Sequence, residues 1–206
     1  MEIWSCKLTD IREVLLRMYK HYKVICIMGK SGSGKDTIMK KILDLFPNTF
    51  VPVISFTSRP KREREIDGVD YHFISETNFI SKITNKDMIE WTFFNGWYYG
   101  TAKESFSKGK INICVCNPEG TRYLKKMGFD IMPIYIDAKD KTRLLRQLNR
   151  EDNPDVKEIV RRYLTDEKDF QNLEYEFKFE NEDNTDLTEL VNYIIYQFAD
   201  WANLDN

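Results

Sequence analysis

Val24–Thr37 reads VICIMGKSGSGKDT, and the fold follows from how that stretch is read. Five apolar residues run from Val24 into Gly29, four residues separate Gly29 from Gly34, and Lys35 follows at once. A Gly-x-x-x-x-Gly-Lys pattern placed directly after a buried-strand run is a phosphate cradle. Its glycines let successive backbone N–H groups approach phosphate oxygens, the opening helix adds the positive end of its dipole, and the lysine adds charge. Lys30, Ser31, Gly32 and Ser33 complete the loop. The residue after the lysine is expected to be Ser or Thr, with its hydroxyl on Mg²⁺; here it is Asp36, with Thr37 next.

Outward from this loop, the chain reads as one α/β unit. A length of 206 residues supports one core and a small inserted lobe. Its 42% hydrophobic and 31% charged content is ordinary for a soluble protein, and no apolar run approaches bilayer length, so no membrane partner is expected. Met1-Glu2-Ile3-Trp4 lacks the basic and apolar regions of a secretory signal, which predicts a cytoplasmic protein. Cys6, Cys26, Cys114 and Cys116 form no Cys-x-x-Cys, and Cys114 and Cys116 share one face of a strand, so reduced core thiols are expected. His21 and His72 fall in no metal-ligand spacing, which argues against a Cys/His metal site.

Net charge is −2, against general nucleic-acid binding. The cations are clustered all the same. Lys30, Lys35, Lys40 and Lys41 surround the loop; Arg59, Lys61, Arg62 and Arg64 form a second group; Arg143, Arg146, Arg150, Arg161 and Arg162 form a third. Three such groups beside a phosphate loop suggest a highly anionic small ligand.

Apolar spacing predicts an accessory helix over 9–22, a strand over 23–28, a helix from Lys35 to about Phe46, and a short strand over 51–55. Residues 71–100 suit short strands with one helix near 75–84. The α/β alternation then resumes with strands over 111–116 and 131–136 and helices over 119–127 and 140–150. Pro133 counts against the strand that contains it. A helix over about 155–170, a half-exposed strand at 175–179 and a helix from Asp186 complete the chain.

These stretches carry a family resemblance. GKSGSGKDT, SFTSRPKREREIDGVDYHF, IEW, NGWYYGT and the arginines of LRQLNRED and EIVRRYL resemble, in order, the motifs of guanylate kinases over roughly residues 23–200. The resemblance implies a P-loop NTPase three-layer α/β fold with a parallel core sheet. Its core would be 23–55 and 104–206, its lid about 146–162 and its inserted GMP-binding lobe 56–103, with 1–22 outside the resemblance. The reaction implied is in-line transfer of the γ-phosphoryl of ATP to GMP or dGMP, with Mg²⁺ as cofactor.

Carried over by position, Arg59 and Arg62 resemble the arginines that hold the acceptor's phosphate, a role suited to planar guanidinium forks. Tyr71 and Tyr99 resemble the tyrosines that complete that phosphate site. Glu90 resembles the acid that reads guanine, accepting from N1–H and the N2 amine, and Ser55 and Thr101 resemble the hydroxyls that face O6. Arg150 and Arg162 resemble the lid arginines, with Arg146 near the ATP phosphates and Asn181 beside the adenine. Arg161 competes with Arg162, because the segment 151–158 is one residue longer than the family usually has.

The pattern fails in several places: Glu119 stands where the family has a glutamine, and the interval from Thr101 to Gly109 is shorter than the family's. The family's D-x-D pair, whose first aspartate helps hold hydrated Mg²⁺, is replaced here by Val115 and Asn117. Asp36 in the hydroxyl slot can supply the missing oxygen ligand; alternatively it favours the helix N-terminus, leaving Thr37 or water to the metal. Two rival functions stay open on sequence: a guanylate-kinase-like binding module, and a deoxynucleoside monophosphate kinase of broader base choice.

Overall fold

The computed structural model describes residues 22–63, 65–94, 96–150 and 152–203. The accessory helix expected over 9–22, apart from Tyr22, lies outside these residues, as do Cys6 and Arg64.

A five-stranded sheet forms the core: β1 (Lys23–Met28), β2 (Phe50–Pro52), β7 (Ile111–Val115), β8 (Asp130–Asp137) and β9 (Phe177–Glu180), in the order β2-β7-β1-β8-β9. Every pairing is parallel, so all five carboxyl ends share one edge. β1 is central and buried on both faces, hence its unbroken apolar run. Ile25 and Ile27 point to one face, where they meet α1 (Lys35–Leu45) through Ile38 and Ile42 and α6 (Leu187–Asn203) through Val191, Ile194 and Phe198. Val24 and Cys26 point to the other, against Cys114, Leu124 of α3 (Pro118–Lys126) and Phe129. α4 (Asp140–Leu148) and α5 (Val156–Asp169) pack against one another.

The strand expected over 51–55 is shorter and begins one residue earlier, as β2. The chain leaves the sheet after Pro52 to enter a second sheet of four strands, β4-β3-β6-β5. These are β3 (Phe56–Thr57), β4 (His72–Phe73), β5 (Met88–Phe94) and β6 (Trp97–Ala102), with α2 (Glu76–Thr84) packed against them through buried Phe79. Pro133 does lie within β8, contrary to its unfavourable reading. Its carbonyl accepts from Glu176 N–H at 2.7 Å, and pairing with β9 begins only at Ile134↔Phe177. The missing N–H therefore faces the sheet where no ladder partner has yet begun.

No described helix is long and apolar enough to cross a membrane.

Candidate active site

The glycine loop occupies the carboxyl end of the central strand, where open parallel sheets bind ligands. Gly34 takes φ +87° at the start of α1, and no side chain caps that helix. By contrast Ser75, Asn117, Asp155 and Asp186 each accept a first-turn N–H of their own helices. The start of α1 is left open to an external anion. Gly29 is required by close approach: a Cβ there would stand 2.4 Å from Ser33 Oγ and 2.8 Å from the Ile136 carbonyl. Gly32, at φ +84°, lies against the Arg143 carbonyl.

The rest of the loop is held from downstream. Ser31 N–H donates to Asp166 Oδ2 at 2.7 Å, Lys30 Nζ meets Glu167 at 2.6 Å, and Asn181 Nδ2 donates to the Ser33 carbonyl at 2.8 Å. Arg143, 1% exposed, donates to Asp140 at 2.6 Å and to the Ser31 carbonyl at 3.4 Å. Sequence grouped Arg143 with the cations expected to meet an anionic ligand, whereas the fold buries it under the loop. The Ser33 side chain is also buried beneath the loop, so among the loop serines it offers backbone rather than hydroxyl to a ligand. Lys35 is mostly buried, 3.5 Å from Asp36, whose carboxylate is more than half exposed beside Thr37.

A cleft of about 380 Å³ opens beside the loop, lined by Gly34, Thr37, Arg146, Arg150, Asn181 and Leu187 among others. Arg146 reaches across its wall to the Asn181 carbonyl at 2.9 Å and to Asp183 at 3.0 Å. A second cleft between α4 and α5 is lined by both Arg150 and Arg162. Arg161 and Arg162 both pair with Glu158, at 2.6 and 2.8 Å, and hold its carboxyl down to about 2.

The lobe gathers the remaining candidates. Thr57, fully buried, donates to the Tyr98 carbonyl and accepts Arg59 N–H, which fixes the backbone from which Arg59 projects. The Arg59 guanidinium lies 5.2 Å from the Tyr71 ring and 5.3 Å from Phe73, and the Tyr71 and Tyr99 rings meet edge to face at 6.2 Å. Burial raises the Tyr71 hydroxyl, keeping it a proton donor. Sequence missed Glu65: it accepts from Arg59 Nη1 at 2.7 Å and from Arg62 N–H at 2.8 Å, and Arg59 beside it holds its carboxyl down to about 2. The Arg62 side chain is exposed nearby.

Glu90 on β5 pairs in register with Thr101 on β6, and Ser55 Oγ lies 3.1 Å from Thr101 Oγ1. Burial raises the Glu90 carboxyl, and hydrogen bonds from the Thr101 side chain and backbone oppose the shift. Ile89, beside Glu90 on β5, packs in the cluster that holds Cys26, Cys114 and Cys116, so this end of β5 lies against the core sheet.

Val115 and Asn117 carry no metal-binding acid. Val115 closes β7, and Asn117 Oδ1 accepts Gly120 N–H at 2.8 Å to cap α3. The oxygen donors suited to a hard cation beside the loop are Asp36 and Thr37, on adjacent positions of the first turn of α1.

A parallel sheet with a glycine loop at the carboxyl end of its central strand defines a P-loop nucleotide-binding protein. Residues 21–197 match the family model described as Guanylate kinase. The guanylate kinase of Chlamydia trachomatis is 36% identical over 156 residues, 74% of this chain and 69% of that protein. The guanylate kinase of Helicobacter pylori is 30% identical over 179 residues, 84% of this chain and 86% of that protein. The crystal structure of guanylate kinase from Anaplasma phagocytophilum shares the fold, with a TM-score of 0.58 at 21% identity over 88% of this chain and 87% of that one. The chain belongs to the guanylate kinase family.

Proposed function

We infer that this chain is an ATP:GMP phosphotransferase, in which the lobe residues select and hold GMP or dGMP while the glycine loop holds ATP. The observation that carries the reading is the joining of two unlike pockets on one lobe: Glu90 with Thr101 and Ser55, and Arg59 with Tyr71 and Tyr99. A carboxylate flanked by hydroxyls matches the N1–H, N2 and O6 edge of guanine, and adenine leaves those buried groups unpaired. Arg59, Arg62 and the two tyrosines would grip the acceptor's phosphate.

On the donor side, the backbone of Gly29 to Gly34 with Lys35 and Arg146 cradles the ATP phosphates, and Asn181 flanks the adenine. The γ-phosphoryl group moves in line: its bond to the bridging oxygen of ADP breaks as one forms to a GMP phosphate oxygen. No protein nucleophile is needed. Arg150 and Arg162 are assigned to the transferring group, and the cleft they share supports Arg162 over Arg161. Lid closure over 146–162 would exclude water. Asp36 and Thr37 would hold Mg²⁺, which neutralises charge on the β- and γ-phosphates when bound with ATP.

Within this reading the chain divides into a core of 23–55 and 104–206 and a GMP-binding lobe of 56–103, and works in the cytoplasm on small molecules. An ADP-release assay across GMP, dGMP, AMP, UMP and dTMP tests it. Turnover confined to guanine nucleotides is expected; equal turnover across bases, or GMP binding without turnover, overturns it.

A further inference from the structure

Three cysteines play no part in the chemistry above, yet the sheet brings them together. Register sets Cys26 on β1 opposite Cys114 on β7, with their sulfurs 3.8 Å apart. Cys116 follows two residues later on the same face, and all three sulfurs lie within 4.8 Å of one another. Cys26 is fully buried, Cys114 is 8% exposed, and Cys116 is half-buried, which leaves a route in from solvent.

A zinc ion bonded to three sulfurs at about 2.3 Å holds them roughly 3.8–4.0 Å apart. The observed triangle is within an ångström of that. Thr121 Oγ1, 2.9 Å from Cys116 Sγ, supplies an oxygen beside the triangle for orientation or as a fourth donor. Soft thiolates select zinc-like d¹⁰ cations over Mg²⁺, so such a site would not compete for the metal that accompanies ATP.

We propose that Cys26, Cys114 and Cys116 form a three-thiolate binding site for one Zn²⁺ ion, set in the core sheet at the end of β7. Cys116, the half-buried member, is the ligand an entering cation meets first, and the thiol protons pass to solvent as the cation seats. No oxidant enters the step.

The test uses the reduced, chelator-treated full chain, titrated with Cd²⁺ and followed by the ultraviolet thiolate-to-cadmium charge-transfer band. One equivalent is expected to saturate the band, and added Zn²⁺ to remove it. Cys114→Ser and Cys116→Ser should each weaken Cd²⁺ binding more than about tenfold. Cys116→Ala, at a half-buried position, separates ligand loss from misfolding, since its circular dichroism should match the parent. Absence of the band in the parent, or its survival in Cys116→Ala, overturns the proposal.

Discussion

The Arg59 guanidinium is closed on both oxygens of the Glu65 carboxylate, and the same carboxylate accepts the Arg62 N–H at 2.8 Å. In the proposed reaction an acceptor phosphate must take Arg59 from this partner. Gln at 65 keeps a carbonyl oxygen for the Arg62 N–H and removes the competing charge. Glu65→Gln should lower KM for GMP about two- to fivefold with kcat little changed, the scale of a partly exposed ion pair. Steady-state kinetics at fixed ATP decide it; a raised KM would mean that Glu65 orders the pocket instead of occupying it.

Glu90→Gln should lower kcat/KM for GMP about a hundredfold or more, because one charged acceptor serves two guanine donors. Burial raises the Glu90 carboxyl above 4.5, so folding favours its protonated form and the ionised form weighs against stability as pH rises through that raised value. Guanine recognition needs the ionised form. The parent's kcat/KM for GMP should therefore fall on acidification earlier than an ordinary carboxylate would dictate, and the Gln variant should lose that limb. An identical pH profile in both would remove Glu90 from base recognition.

Asp36→Ser restores the hydroxyl usual at its position. If Asp36 ligates the metal, the Mg²⁺ concentration for half-maximal rate should rise about three- to tenfold. A Mg²⁺ titration of turnover that overlays the parent's leaves the metal to Thr37 and water.

Arg162→Ala is expected to lower kcat by about two orders of magnitude or more, the scale of an arginine that meets a transferring phosphoryl group. Arg161→Ala should stay within about threefold of the parent: both arginines pair with Glu158 at the surface, but of the two it is Arg162 that lines the cleft with Arg150. Single-turnover rates compare the two; the reverse order would reassign the lid arginine.

Arg143→Met keeps much of the buried volume and removes the charge that Asp140, Asp166 and Glu167 share. The acids are partly exposed, so the loss should be about 2–3 kcal/mol and not the larger cost of stranding a fully buried ion. In a chain of this size that lowers Tm by roughly 4–12 °C. Thermal unfolding measures it, and an unchanged Tm would show the network to be energetically idle.

The parts of the candidate site that could be named from sequence are local: the loop spacing and the short motifs that carry Glu90 and Thr101 each announce themselves over a few residues. What escaped was long-range. Arg143 resembles its exposed neighbours in sequence, and only the packing of α4 under the loop buries it. Glu65 reads as one more charge in a polar run until the chain folds it back on Arg59. The shared face of Cys114 and Cys116 follows from a two-residue period, but the arrival of Cys26 depends on which strand neighbours β7. Pro133 counted against its own strand because the start of β9 was not foreseeable.

The loop near the beginning of the chain owes its shape to residues far along it. Ser33 waits for Asn181, 148 positions later, and Ser31 for Asp166, 135 positions later. During synthesis the glycines are made first and finished last. A nascent chain that has not yet released residue 181 from the ribosome lacks the hydrogen bond that holds the Ser33 carbonyl, so its phosphate cradle is unfinished.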